Sequence, residues 1–173
     1  MILPRGSDQL LLPVNPFFIG FTLLAAVLLE MLPTGRHAAA PDLLALVLVF
    51  WNVHQPRRVG VGVAFACGLV MDVQQAALLG QHALAYTLLS YLAITVHRRV
   101  LWFSLPAQAL HVLPVFLAGH ALALVARLVV GGMFPGWTWL AAPVFEALLW
   151  PVAAWLLLAP QRRAPDPDEN RPL

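Results

Sequence analysis

"VGVGVAFACGLVMDVQQAALLGQHALAYTLLSYLAITV", residues 59–96, runs for thirty-eight residues and holds one Asp, Glu, Lys or Arg, which is Asp72. An α-helix needs about 20 mostly apolar residues to cross a hydrocarbon core about 30 Å thick. The stretch therefore has room for two membrane spans joined by a tight turn. Gln74, Gln75, Gly80 and Gln81 mark that turn, where the apolar run is interrupted. The lone carboxylate needs an explanation, because an unpartnered charge among apolar residues is costly.

Upstream, a first span covers about 16–32 and ends at "PTGRH", and a second covers about 39–53 and ends at "HQPRR". Trp51, near the end of the second, suits a membrane interface. Downstream, "HRR" at 97–99 closes the central pair. A fifth span starts near Pro106, a residue favoured at helix N-termini, and ends near Val130. Pro114 is predicted to kink it. "GGMFPGW" forms the next turn, and a sixth span covers about 138–159 with Pro143 and Pro151 in it. The predicted organisation is one six-helix transmembrane domain over residues 1–160, then a polar, proline-rich, disordered cytoplasmic tail over 161–173.

Composition agrees with an all-α polytopic membrane protein. Of the 173 residues, 61% are hydrophobic and 10% charged, and the mean hydropathy is +0.80. That is too little charge to cover a soluble domain of this size. Arg5 before an apolar stretch and the small residues of "HAAAPD" imitate a secretory signal, but several more apolar runs follow, so the first reads as an anchor. All ten basic residues are arginines. They fall in small groups between apolar runs, which argues for membrane orientation and against a nucleic-acid face. With six spans, Arg5, Arg57, Arg58, Arg98, Arg99, Arg162, Arg163 and Arg171 share one side, and Arg36 and Arg127 the other. The positive-inside rule then places both termini in the cytoplasm.

The third span carries small residues at every fourth position: Gly60, Ala64, Gly68, then Asp72, Ala76 and Gly80. Such a stripe lets another helix approach closely, and simple helix packing accounts for Gly60 and Ala64. Asp72 should face protein or a polar cavity. Glu30, Asp42 and Glu146 fall in similar positions, towards the outer ends of their spans, with Arg127 as the expected countercharge of a buried polar cluster. The outer half of the bundle is thus expected to be polar where the inner half is not. Such a cluster either fixes the helix arrangement or forms a site for a partner or ligand.

No catalytic, cofactor or metal site is expected. The chain has no HExxH, no phosphate-binding Gly-Lys loop and no GxSxG. His111 and His120 share a span at a poor spacing for joint ligation, and His82 and Tyr86 stand one turn apart with no nucleophile beside them. The single cysteine, Cys67, reads as a packing residue.

Residues 41–93 resemble the centre of the MreD family of rod shape-determining membrane proteins. The matching residues are Pro41 and Asp42 opening the second span, an aromatic near its end, and Pro56 in the short loop. "GLxxD" follows at Gly68, Leu69 and Asp72, then "LG" at Leu79 and Gly80, and Tyr91 in the fourth span. The resemblance implies a non-enzymatic scaffold of the elongation machinery (the elongasome) in the bacterial inner membrane. It implies MreC as partner, with RodA, a class B penicillin-binding transpeptidase and MreB bound directly or through it. A second copy of the chain is a further candidate partner, beside membrane lipid. It also implies a fold similar to the substrate-binding subunits of energy-coupling-factor transporters, which keeps open a carrier of small molecules or lipid precursors. Pro41, Asp42, Gly68, Leu69, Asp72, Leu79 and Gly80 carry over as packing or partner-contact positions.

Overall fold

The computed structural model describes residues 14–32 and 40–161. The apolar runs become six α-helices: α1 Pro16–Glu30, α2 Leu43–His54, α3 Val61–Gln74, α4 Gln81–Leu101, α5 Leu105–Val129 and α6 Ala141–Leu158. There is no strand among the described residues. A 3₁₀ turn, Trp137–Leu140, leads into α6, and another, Ala159–Gln161, leaves it. Two of these segments are long and apolar enough to cross a membrane, Leu105–Val129 and the continuous Trp137–Gln161, with mean hydropathies of 2.0 and 1.7.

The ends follow from local chemistry. Asn15 caps α1 by accepting the Phe17 N–H, with Pro16 as first helical residue. Asp42 caps α2 by accepting the Ala45 N–H at 2.8 Å, so α2 starts at Leu43, later than expected. With 12 residues, α2 is only about 18 Å long. α4 does not stop at "HRR" but continues to Leu101. Its last turn holds Arg98 and Arg99, where a helix C-terminus favours cations. α5 runs through Pro114 as one helix. Gln161, assigned to the tail, is buried and donates to the Leu157 carbonyl. The rest of the tail, with Arg162, Arg163 and Arg171, and also Arg5 and Arg36, lies outside the described residues.

α2, α4, α5 and α6 form a ring in which each packs on the next, with α1 against α2 and α3 against α4. The ring is filled by Phe50, Trp51, Tyr86, Phe116 and Trp150, all fully buried. Trp51 is therefore a core residue, not an interfacial one. Its ring meets Phe50 edge-on at 5.1 Å and its N–H donates to Thr22 Oγ1 at 2.9 Å. Two more neutral hydrogen bonds cross the core, from Asn52 Nδ2 to Ser90 Oγ at 2.9 Å and from Trp150 Nε1 to Gln108 Oε1 at 3.1 Å. Polar groups thus occur through the whole bundle, against the expectation that they would gather in one half. What gathers at one end is the carboxylates. The outside is apolar, with Phe21 and Leu24 on α1 and Leu148, Val152 and Trp155 on α6 exposed.

α3 and α4 approach closely at Gly68. A Cβ there would lie 2.5 Å from the Ala83 nitrogen. At Gly68 the stripe of small residues is spent inside the chain, on α4, whereas Gly60 has nothing within 4 Å of an added Cβ and packs on no helix there. It is also shorter than its spacing suggested. α3 ends at Gln74, so Ala76 and Gly80 belong to the following turn, both at positive φ (49° and 102°).

Candidate functional site

Each helix N-terminus leaves backbone N–H groups without helical partners. Two such termini, those of α2 and α4, open inside the bundle, and carboxylates satisfy both. At α2, the Asp42 N–H donates to Glu146 Oε1 at 3.0 Å, the Leu43 N–H to Glu30 Oε1 at 2.7 Å and the Ala45 N–H to Asp42 Oδ1. The three acids come from α6, from the end of α1 and from the cap itself.

α4 starts after Gly80, which has no side chain to cap with. Asp72, from the last turn of α3, takes that role. Its Oδ2 accepts the N–H groups of Gly80 at 2.7 Å and Ala83 at 3.3 Å. Its Oδ1 accepts the His82 N–H at 2.7 Å and meets His82 Nδ1 at 2.9 Å. A buried carboxylate held by three backbone donors is well compensated for leaving water. Arg127 takes no part in this. It is exposed and makes no ion pair among the described residues, so the expected countercharge is replaced by backbone dipoles and imidazoles.

Side chains complete the cluster. His120 Nε2 lies 2.7 Å from Glu146 Oε1, and the Tyr86 hydroxyl donates to Asp42 Oδ2 at 2.5 Å. Beside them opens a cavity of about 620 Å³ whose walls come from the C-terminal ends of α1, α3 and α5 and the N-terminal ends of α2, α4 and α6. Six helices contribute alternate ends to one cavity, which fits a chain that runs up and down. Glu30, Pro41, Asp42 and Arg127 line it. Glu146 and Asp72 are buried, Leu69 is half-buried on α3, and Leu79 is exposed in the turn. No group of three His, Cys, Asp or Glu among the described residues is placed to hold a metal.

Residues 10–159 match the family model for the rod shape-determining protein MreD. The rod shape-determining protein MreD of Haemophilus influenzae is 30% identical over 145 residues, 81% of this chain and 85% of that protein. The chain belongs to the MreD family. The match takes in all six helices, and membership supports a role in rod shape determination. No solved structure matches the chain.

Three residues of this MreD-family site escaped sequence reasoning as members of it: His82, Tyr86 and His120. Their partners lie 10, 44 and 26 residues away in sequence. The one local signal was the one-turn spacing of His82 and Tyr86, whose rings do meet, with centroids 6.0 Å apart.

Proposed function

We propose that this MreD-family chain is a non-enzymatic, six-span scaffold of the bacterial cytoplasmic membrane. Both termini lie in the cytoplasm. It binds MreC and, directly or through it, RodA, a class B penicillin-binding transpeptidase and MreB, and so supports lateral peptidoglycan synthesis.

The observation that carries this reading is the opposition of the two ends. Arg57, Arg58, Arg98 and Arg99 follow α2 or close α4, at the end away from the cavity, while Arg127 alone of the described arginines lines the cavity. By the positive-inside rule the arginine end faces the cytoplasm and the cavity faces outwards. Exposed Trp102 beside the arginines and exposed Trp137 at the cavity end suit the two interfaces. α1, α2 and α3, with 15, 12 and 14 residues, reach about 18–22 Å. The cavity takes up the missing depth of the outer leaflet. The apolar sides left over are what a single-span partner needs.

Affinity purification in mild detergent tests the partner. MreC should co-elute with the tagged chain, and cells lacking the chain should lose rod shape. Rods maintained by a chain that never captures MreC would overturn the scaffold reading.

One observation favours a second reading, a binding subunit for a small molecule or lipid precursor, akin to those of energy-coupling-factor transporters. A 620 Å³ cavity with converging polar side chains is of the size that small-molecule sites occupy.

A further inference from the structure

The ligand class of the outer cavity follows from which of its polar groups are already used. A helix N-terminus normally attracts anions. Here the α2 and α4 N-termini spend their N–H groups on Glu30, Asp42, Glu146 and Asp72. What is left over is acceptor capacity. Glu146 is fully buried, its Oε1 takes both the Asp42 N–H and His120 Nε2, and its Oε2 has no partner among the described residues. A buried oxygen without a donor is costly. The Glu146 carboxyl is held by two residues of the cavity wall, Asp42 and His120. Glu30, in the wall itself, spends one oxygen on the Leu43 N–H.

Against the Glu30, Asp42 and Glu146 carboxylates stands one arginine in the wall, the exposed Arg127, which makes no ion pair among the described residues. The rest of the wall mixes polar groups, the imidazoles of His82 and His120, each already on a carboxylate, and the amides of Gln74, Gln75 and Gln81, with aromatic and apolar surface. Tyr86 and Trp139 contribute rings, and Leu89 and Leu124 contribute aliphatic surface. Such rings attract cations on their faces.

We propose that the cavity binds an amphipathic organic cation, an ammonium or guanidinium group drawn to the Glu30 and Asp42 carboxylates of the wall, with the buried Glu146 carboxylate behind them, and with its apolar body against Leu89, Leu124 and the ring of Trp139. The proposal rests on the second reading above, the cavity as a ligand site, and is independent of the scaffold reading.

Three probes with the same ring and different charge test it: phenethylammonium, phenethyl alcohol and 3-phenylpropionate. Binding is measured by titration calorimetry on the full chain in phosphatidylcholine nanodiscs. Phenethylammonium should bind at least about tenfold more tightly than the other two, as charge-assisted hydrogen bonds are the strong ones. Glu30→Gln and Glu146→Gln should each weaken it about tenfold or more. Glutamine keeps one oxygen for the α2 cap, and an unchanged unfolding midpoint without ligand verifies that each variant is folded. Should Glu146→Gln fail to fold, Glu30→Gln alone decides. Arg127→Gln should hold or tighten binding by removing a competing cation. Equal binding of all three probes to wild type and variants would show partition into lipid and overturn the proposal. Tighter binding of 3-phenylpropionate, or its loss in Arg127→Gln, would make the cavity an anion site, which sinks the cation and keeps the ligand reading. Binding of no probe would sink both and leave the scaffold reading intact.

Discussion

Asp72 carries two pairs of contacts, one pair on each oxygen. Asparagine can replace only one of those oxygens. Its NH₂ would face the donors of the other pair, so the conservative change removes acceptors and adds a donor clash. Asp72→Asn should therefore cost about 2–4 kcal/mol of stability, and Asp72→Leu more. Because Arg127 is not a partner of Asp72, Arg127→Gln should neither reproduce the Asp72→Asn defect nor rescue it. Thermal unfolding in detergent and the protein level in membranes measure both, and a rescue would restore the ion pair that the geometry rejects. The same turn offers a pair of changes with opposite sign. Gly80 has a φ of 102°, and Gly80→Ala should destabilise by about 1–2 kcal/mol although the space around it is open. Ala76 holds a φ of 49° without being glycine. Ala76→Gly should stabilise by about 1 kcal/mol at most, read as a higher unfolding midpoint.

Between elements, small residues matter only where another backbone comes close. α3 and α4 meet at Gly68, where even a methyl group would reach the Ala83 backbone. Backbone cannot rotate aside as a side chain can, so Gly68→Ala should cost about 1–3 kcal/mol and Gly68→Ile more. Gly20 in α1 is the control, with nothing within 4 Å of its added Cβ. Gly20→Ala should stabilise by about 0.5–1 kcal/mol, the ordinary helix gain. Equal effects at both positions, read from unfolding midpoints of the purified variants, would mean that α3 does not pack on α4 through this face. α2 shows the reverse economy. It is the shortest of the six helices, and it begins inside the bundle because three carboxylates stand ready at its first N–H groups. Losing one of them, as in Glu30→Ala, should fray its first turn and cost about 1 kcal/mol.

For the whole molecule, the alternation of helix ends around the cavity makes topology testable. Reporter fusions after Arg58 and Arg99 should read as cytoplasmic and one after Gly132 as external. Either of the first two reading as external would overturn the six-span arrangement. The cavity exists only at this scale, since no two consecutive helices enclose it. Its walls need all six.

How much of this was legible beforehand differs by the range of the interaction. Helix number and approximate limits were readable, because apolar length, proline and cap residues act over a few positions. Pro16 and Asp42 mark helix starts in the sequence itself. The oddity of Asp72 was also readable, since an isolated acid in an apolar run is conspicuous. Its partners were not wholly so. The turn backbone is near in sequence, but the choice between it and Arg127 depended on where α5 ends in space. Trp51 was misplaced for a similar reason. Position along a span does not reveal whether a ring points to lipid or to the core, and only packing against α1 and its Thr22 hydroxyl decided it. That Glu30, Asp42 and Glu146 lie near the same ends of their spans was readable, but their hydrogen bonds to the α2 backbone and the arrival of Tyr86 and His120 beside them came from tertiary structure, for five helices bring these residues together and no spacing along the chain does.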